Sequence, residues 1–274
     1  MTDVPRPGTD AEWDAETYHR VSAPQTAWGR AVLDRIELHG DETIIDAGCG
    51  SGRLTSEILG RVPHGRIIAV DSSSAMIEAA RRHLAGEPAA PRVWLIRADV
   101  ASLPFQQIAH VIFSTATFHW VLNHLALFRS LFVALRPGGR LVAQCGGGPN
   151  IERVLAHATS ITSREPFASV FRHWQRPWEF ADDTTTKSRL HQVGFVDVET
   201  SLVPAPTSFA DAGQFREFVK TVVVRPHLTA IGNPSDGDTF LQELVSAAGS
   251  DDPPYTLDYW RLNISARRPA GQRR

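Results

Sequence analysis

The sequence predicts an α/β protein with a seven-stranded, mostly parallel sheet, helices on both faces and a helical lid. Short apolar runs alternate with stretches of helical spacing through the first half, the pattern of a sheet buried on both faces. The first run leads into glycine at alternate positions, Gly48, Gly50 and Gly52. After about Gly146 the alternation stops, an aromatic stretch follows, and two further strands come late in the chain.

Each element has its own signal. Thr43 to Ala47 reads as a buried strand, followed by a helix from about Arg53 to Leu59. Arg66 to Val70 is a second strand ended by Asp71, and "SSSAMIEAARRHLA" has a serine cap and helical spacing. Arg92 to Arg97 is the third strand and His110 to Thr115 the fourth, followed by helical spacing through "LALFRSLFVAL". "RPGG" reads as a break before a fifth strand, Arg140 to Cys145. "DDTTTKSRLHQVGF" reads as a capped helix ending near Gly194, and Val196 to Val203 as a strand. Helical stretches at about Phe209 to Val224 and Thr239 to Ala248 precede an alternating final strand, Tyr259 to Arg267. Pro226 after Arg225 predicts a helix end. The organisation expected is a cap segment over residues 1–40, a ligand-binding core over 41–148, a helical lid over 149–186, and the last two strands with inserted lid helices over 187–274.

Composition limits the chemistry. With 274 residues, 42% of them hydrophobic, the chain can bury a substantial core. The formal charge is −2, from 28 basic and 30 acidic side chains, which provides no electrostatic track for nucleic acid. Cys49 and Cys145 form neither a disulfide framework nor a metal-ligand cluster. No apolar run approaches the roughly 18 residues of a membrane span, and the opening residues carry acids and prolines where a signal peptide needs basic and apolar ones. A soluble, cytoplasmic protein without a metal is expected.

In an open parallel sheet the ligand lies beyond the carboxyl ends of the strands. Four such ends carry suggestive residues. The glycine turn brings backbone close to a ligand, since glycine has no Cβ in the way. Asp71, 21 residues after Gly50, suits ribose hydroxyls, and Asp99 with Val100 suits an adenine amino group and its ring. The fourth is "STATFHW", Ser114 to Trp120. A dinucleotide fingerprint wants glycine where Arg53 stands. Asp46, two residues before the first glycine, would repel a pyrophosphate and attract an ammonium. A cationic ligand end is therefore favoured, with an NAD-type or non-enzymatic nucleotide binder as the remote alternative.

On these residues the chain resembles the class I S-adenosylmethionine-dependent methyltransferases, with their Rossmann-like fold. "IIDAGCGSG", "AVDSSSAMI", "RADVASLPF" and "LRPGGRLV" are similar to the family's motifs. "YHRVSAPQ", "FHWVLNH", "VVVRPHL" and "YWRLNISARRP" are similar to the branch of the trans-aconitate and juvenile hormone acid methyltransferases, which methylate carboxylic acids. The resemblance implies S-adenosyl-L-methionine as cofactor, S-adenosyl-L-homocysteine as product, and a small carboxylic acid as partner. It implies a cofactor site of Tyr18, Asp46, Gly48, Cys49, Gly50, Asp71, Ser72, Met76, Asp99, Val100 and Ser114. Trp120 and Gln25 would hold the acceptor carboxylate, and Arg225 a second one. His119 invites the role of general base; a carboxylate, ionised at neutral pH, needs none, whereas a hydroxyl acceptor would. O-, N- or C-methylation of another small molecule, with His119 as base, stays open beside carboxylate methylation.

Overall fold

The computed structural model describes residues 23–271, with side chains from Thr26 onward. They form two compact units. One comprises residues 23–148, 178–203 and 261–271; the other comprises 149–177 and 204–260.

The larger unit holds the sheet. Its elements in order are α1 (Ala23–Leu33), β1 (Thr43–Ala47), α2 (Arg53–Arg61), β2 (Arg66–Asp71), α3 (Ser74–Leu84), β3 (Val93–Arg97), β4 (Ala109–Thr115), α4 (His124–Ala134) and β5 (Leu135–Gly146). They are followed by α7 (Asp183–Val193), β6 (Val196–Pro204) and β9 (Trp260–Arg267), the two strands each reaching one residue past the unit's boundary. The strand order is β3-β2-β1-β4-β5-β9-β6. β1 pairs in parallel with β2 and β4, as does β2 with β3 and β4 with β5, while β9 runs antiparallel to β5. The predicted seven-stranded α/β fold is the observed one.

β1 shows why its run is apolar throughout. Ile44 belongs to a cluster with Val32 and Leu33 of α1 and Ile58 and Leu59 of α2. Ile45 and Ala47 face the other way, into a cluster with Leu127, Phe128 and Leu131 of α4 and Leu190 of α7. Successive side chains enter opposite cores, so neither face tolerates alternation with polar residues.

Helix ends follow local chemistry. Ser73 accepts from the Met76 N–H at the start of α3, and Asp182 accepts from the Thr185 N–H, at 2.6 Å, at the start of α7. Gly194, at φ 109°, ends α7 in the left-handed region. "RPGG" is where the sequence reading fails. β5 begins at Leu135, not Arg140, and those residues form an irregularity within it, between the pairs Ala109↔Leu135 and Val111↔Arg140. The Gly138 N–H donates to Arg268 O, which ties this irregularity, with Gly138 in the left-handed region at φ 79°, to the chain just after β9.

The smaller unit contains α5 (Glu152–Thr162), α6 (Ala168–Phe171), a two-stranded ladder of β7 (Thr207–Ser208) with β8 (Thr256–Leu257), α8 (Ala212–Phe218), a π turn over Val219–Val223, α9 (Arg225–Ile231) and α10 (Pro234–Gly249). Two of its helices correct the sequence reading. The helical stretch before Pro226 ends with the π turn at Val223, as expected, but Pro226 itself stands in the first turn of a further helix, α9, because that turn has no intrahelical use for its N–H. α10 begins five residues earlier than expected, at Pro234, where Asn233 caps it by accepting from the Ser235 N–H. Much of the aromatic stretch is core here: Phe167 packs edge-on to Phe240, and Phe171 and Trp174 pack against the buried His227. Burial among these rings pushes the His227 pKa down to about 4.

Candidate active site

The glycine turn between β1 and α2 is fixed from beneath. The Gly48 and Cys49 N–H groups both donate to Val70 O at the end of β2. Gly48, Gly50 and Gly52 have φ of 83°, 54° and 82°, a conformation that other residues rarely adopt. Their surroundings differ. A Cβ on Gly48 would lie 2.0 Å from Thr117 Oγ1, and one on Gly52 3.1 Å from the Ala80 Cβ. A Cβ on Gly50 would meet nothing within 4 Å. Gly48 and Gly52 are therefore glycines for packing, and Gly50 leaves an open cradle on the ligand side of the turn.

Asp71 joins that turn to the end of β2. Its Oδ2 accepts from the Gly50 N–H at 3.0 Å and its Oδ1 from the Ser73 N–H at 2.9 Å. Burial is the main cause raising its pKa. Asp46 lies deeper: it is 2% exposed, and its Oδ2 accepts from the Thr55 hydroxyl at 2.6 Å. Burial pushes its pKa up to about 7, with the Asp71 charge adding to the rise. The Cys49 thiol is buried and its pKa is held well above the ordinary value, so it is inert as a nucleophile at neutral pH.

The other predicted cofactor residues fall at or near the same strand ends. Asp99, exposed, accepts from the Ala101 N–H at 2.8 Å, and Val100 beside it is buried. Met76 is buried in the first turn of α3 and Ser72 is exposed just before it. Ser114 is turned into the sheet, where its hydroxyl donates to Ala47 O at 2.6 Å. Tyr18 lies outside the described residues. Gln25 is in α1, and its side chain is likewise outside the description. Arg225 opens α9 in the smaller unit, with its pKa lowered by burial.

β4 ends at Thr115, as expected, and a 3₁₀ turn over Phe118–Trp120 follows. Thr117, which the sequence reading missed, ties this loop to the glycine turn: its Oγ1 donates toward Thr115 O and, at 3.4 Å, Gly48 O. Only its spacing after the strand could have singled it out. The His119 ring packs against Trp120 and Phe180, and its Nδ1 accepts a long hydrogen bond, 3.4 Å, from the Gly146 N–H. The imidazole is therefore neutral with its proton on Nε2. Burial foremost, then the Arg261 and His124 charges, push its pKa down to about 3. Trp120 meets Trp178 edge-on with ring centres 6.2 Å apart. His124 is structural, since its Nε2 bonds Phe118 O and its Nδ1 accepts from Arg189.

Arg261 lies opposite Gly146 in the β5–β9 register, is 5% exposed, and stacks its guanidinium 4.5 Å from the Trp28 ring centre.

Among the described residues no three His, Cys, Asp or Glu side chains are grouped to hold a metal, and no helix is long and apolar enough to cross a membrane. The open cradle at Gly50, with carboxylates at the ends of β1 and β2, fits an adenosyl cofactor with a cationic amino acid end.

Comparison with known proteins agrees. Residues 44–139 match a methyltransferase domain family. The chain is 34% identical over 133 residues to the trans-aconitate 2-methyltransferase of Acidovorax ebreus, covering 48% of this chain and 49% of that protein, so the match spans about half the relative's length. It is 30% identical over 199 residues to the corresponding protein of Paracidovorax citrulli, covering 72% of this chain and 70% of that one. The fold is similar to that of Haemonchus contortus phosphoethanolamine N-methyltransferase 2 in complex with S-adenosyl-L-methionine, with a TM-score of 0.62 and 17% identity over 93% of this chain and 56% of that one. With its glycine turn, strand-end carboxylates and sheet order, the chain belongs to the class I S-adenosylmethionine-dependent methyltransferases.

Proposed function

We propose that this protein methylates a carboxylate oxygen of a small carboxylic acid. The observation that carries the reading is the state of His119. With its pKa near 3 and its Nδ1 occupied by the Gly146 N–H, it is a poor base at neutral pH. An acceptor that arrives ionised needs no base there, and a carboxylate does so. The relatives named trans-aconitate 2-methyltransferase support the same class.

S-Adenosyl-L-methionine, when bound, supplies a methyl group activated by its sulfonium. The chain's own residues bind and orient. Asp71 and Asp99 receive the ribose and adenine ends, and Asp46 contributes negative charge beneath the methionine end. Trp120 and Gln25 each donate one hydrogen bond to the acceptor carboxylate, and Arg225 receives a second acid group. Holding the reacting oxygen in line and excluding water provide most of the rate, as in other reactions limited by orientation.

A methyl-transfer screen with labelled S-adenosyl-L-methionine over carboxylic acids, phenols and amines tests this. Base-labile methyl esters from small acids, trans-aconitate included, are the expected products. Label confined to phenols or amines would reject the reading.

A further inference from the structure

The turn that carries His119 and Trp120 is entered through a strained residue. Ala116 has a φ of 55°, in the left-handed region that alanine rarely adopts. Such a conformation persists only where its surroundings over-determine it. Here they do. The Ala116 N–H donates to Gln144 O at 2.8 Å, and Thr117 is tied to Thr115 O and Gly48 O. The next two carbonyls of the chain are held as well. Phe118 O bonds His124 Nε2 at 3.1 Å, and His119 O accepts from the Glu179 N–H at 2.8 Å.

Both of these last bonds lead to one side chain, Arg189 of α7. Its Nη1 donates to His124 Nδ1 at 3.0 Å and lies 2.6 Å from Glu179 Oε1. A guanidinium has no lone pair to offer, so Nδ1 must be the acceptor. The ring proton is then on Nε2, and Nε2 donates to Phe118 O. Without Arg189 the neutral ring is free to carry its proton on Nδ1, which would turn a lone pair toward that carbonyl. The ion pair likewise fixes the residue whose N–H holds His119 O. One arginine thus sets two successive bonds to the turn. Its effect on the fold as a whole is expected to be small, because the Arg189 and Glu179 side chains are 26% and 28% exposed and such pairs add little stability.

We propose that Arg189 is a positioning residue for methyl transfer: through His124 and Glu179 it holds the Phe118–Trp120 turn in the form that presents His119 and Trp120 to the acceptor. In-line transfer is sensitive to displacements of about an ångström, so loosening two carbonyls of this turn slows the reaction without touching the cofactor turn. The inference rests on the placement of the acceptor beside this turn, and not on the acceptor's chemical class.

The test uses the full chain and its Arg189→Met, Arg189→Lys, His124→Leu and His124→Gln variants. Methionine keeps the stem of Arg189 without its donors, and glutamine keeps an N–H for Phe118 O. The acceptor is the best substrate of the methyl-transfer screen described above. Arg189→Met and His124→Leu should each lower kcat/KM for the acceptor by tenfold or more. Arg189→Lys should fall between Arg189→Met and wild type, and His124→Gln should stay within about threefold of wild type. The Arg189→Met, His124→Leu double variant should lose less than the product of the single losses, since both act along one chain of contacts. Arg189→Met should bind S-adenosyl-L-homocysteine within about twofold of wild type by calorimetry and keep its urea midpoint within about 0.5 M. In that complex the indole N–H resonance of Trp120, assigned with Trp120→Phe, should shift or broaden in Arg189→Met and stay in place in His124→Gln. An Arg189→Met protein with kcat/KM within threefold of wild type, or with an unmoved Trp120 resonance, would overturn the proposal. So would His124→Gln as damaging as His124→Leu, or Arg189→Met that no longer binds S-adenosyl-L-homocysteine, which would make Arg189 a residue of the fold. Wild type that methylates no carboxylic acid would reject the carboxylate reading, and the Trp120 resonance would then still decide the role of Arg189.

Discussion

At Gly50 a Cβ would stand in open space, whereas at Gly48 it would collide with Thr117. The two glycines look alike in "DAGCGSG" but answer to different demands, and substitution separates them. Gly50→Ala should lower stability by only about 1–2 kcal/mol, the cost of a left-handed alanine, while weakening S-adenosyl-L-homocysteine binding more than tenfold. Gly48→Ala adds overpacking to the same backbone cost and should lose about 2–4 kcal/mol in urea unfolding. Equal effects of both on stability and binding would remove the distinction. Asp46 gives a second test at this scale. The folded protein holds its proton up to about pH 7, against an ordinary value of 3.8. Folding therefore takes up a proton between those values, and the free protein loses stability as pH rises from about 4 to about 7. The buried histidines His119 and His227 work oppositely, since their lowered pKa values cost stability as pH falls below about 6.5. The difference between wild type and Asp46→Asn cancels the histidines and should show the Asp46 slope alone in denaturant midpoints measured from pH 4 to 8.

Elements were legible where one local signal decides them. β1 was bounded correctly because a buried parallel strand must be apolar throughout, and α7 because Asp182 caps it and Gly194 closes it. Asp182→Ala should cost about 1 kcal/mol of stability through the lost N-cap, measured in urea. Where two readings share a signal, the sequence could not choose between them. Proline ends one helix and begins another, and only the chain around Pro226 shows that it stands in a first turn. "RPGG" spells a turn, yet it forms an irregularity within β5, tied by the Gly138 N–H to the Arg268 carbonyl, distant in sequence. The residues proposed for the cofactor follow strand ends at set distances, which is a signal a sequence carries. Thr117 carries no such signal, because its place comes from a neighbour in space, the Gly48 carbonyl.

At the scale of the whole molecule the proposed acceptor site draws on distant segments, Gln25 before the sheet and Trp120 after β4. If both donate to one carboxylate, Trp120→Phe and Gln25→Ala should each lower kcat/KM by tenfold or more, from about 1.5–3 kcal/mol per charged hydrogen bond. S-Adenosyl-L-methionine affinity should stay within about twofold. The double variant should lose less than the sum, since both bonds orient one group; strict additivity would place them on different groups. The central claim is that the acceptor reaches the site already ionised. The most direct test is the pH dependence of methyl transfer to the preferred carboxylic acid, in wild type and His119→Gln. A nearly flat kcat from about pH 6 to 8, with much of the activity kept in His119→Gln, is the predicted result. A rate that climbs through the histidine range and disappears in His119→Gln would contradict it and make His119 the base for a hydroxyl acceptor.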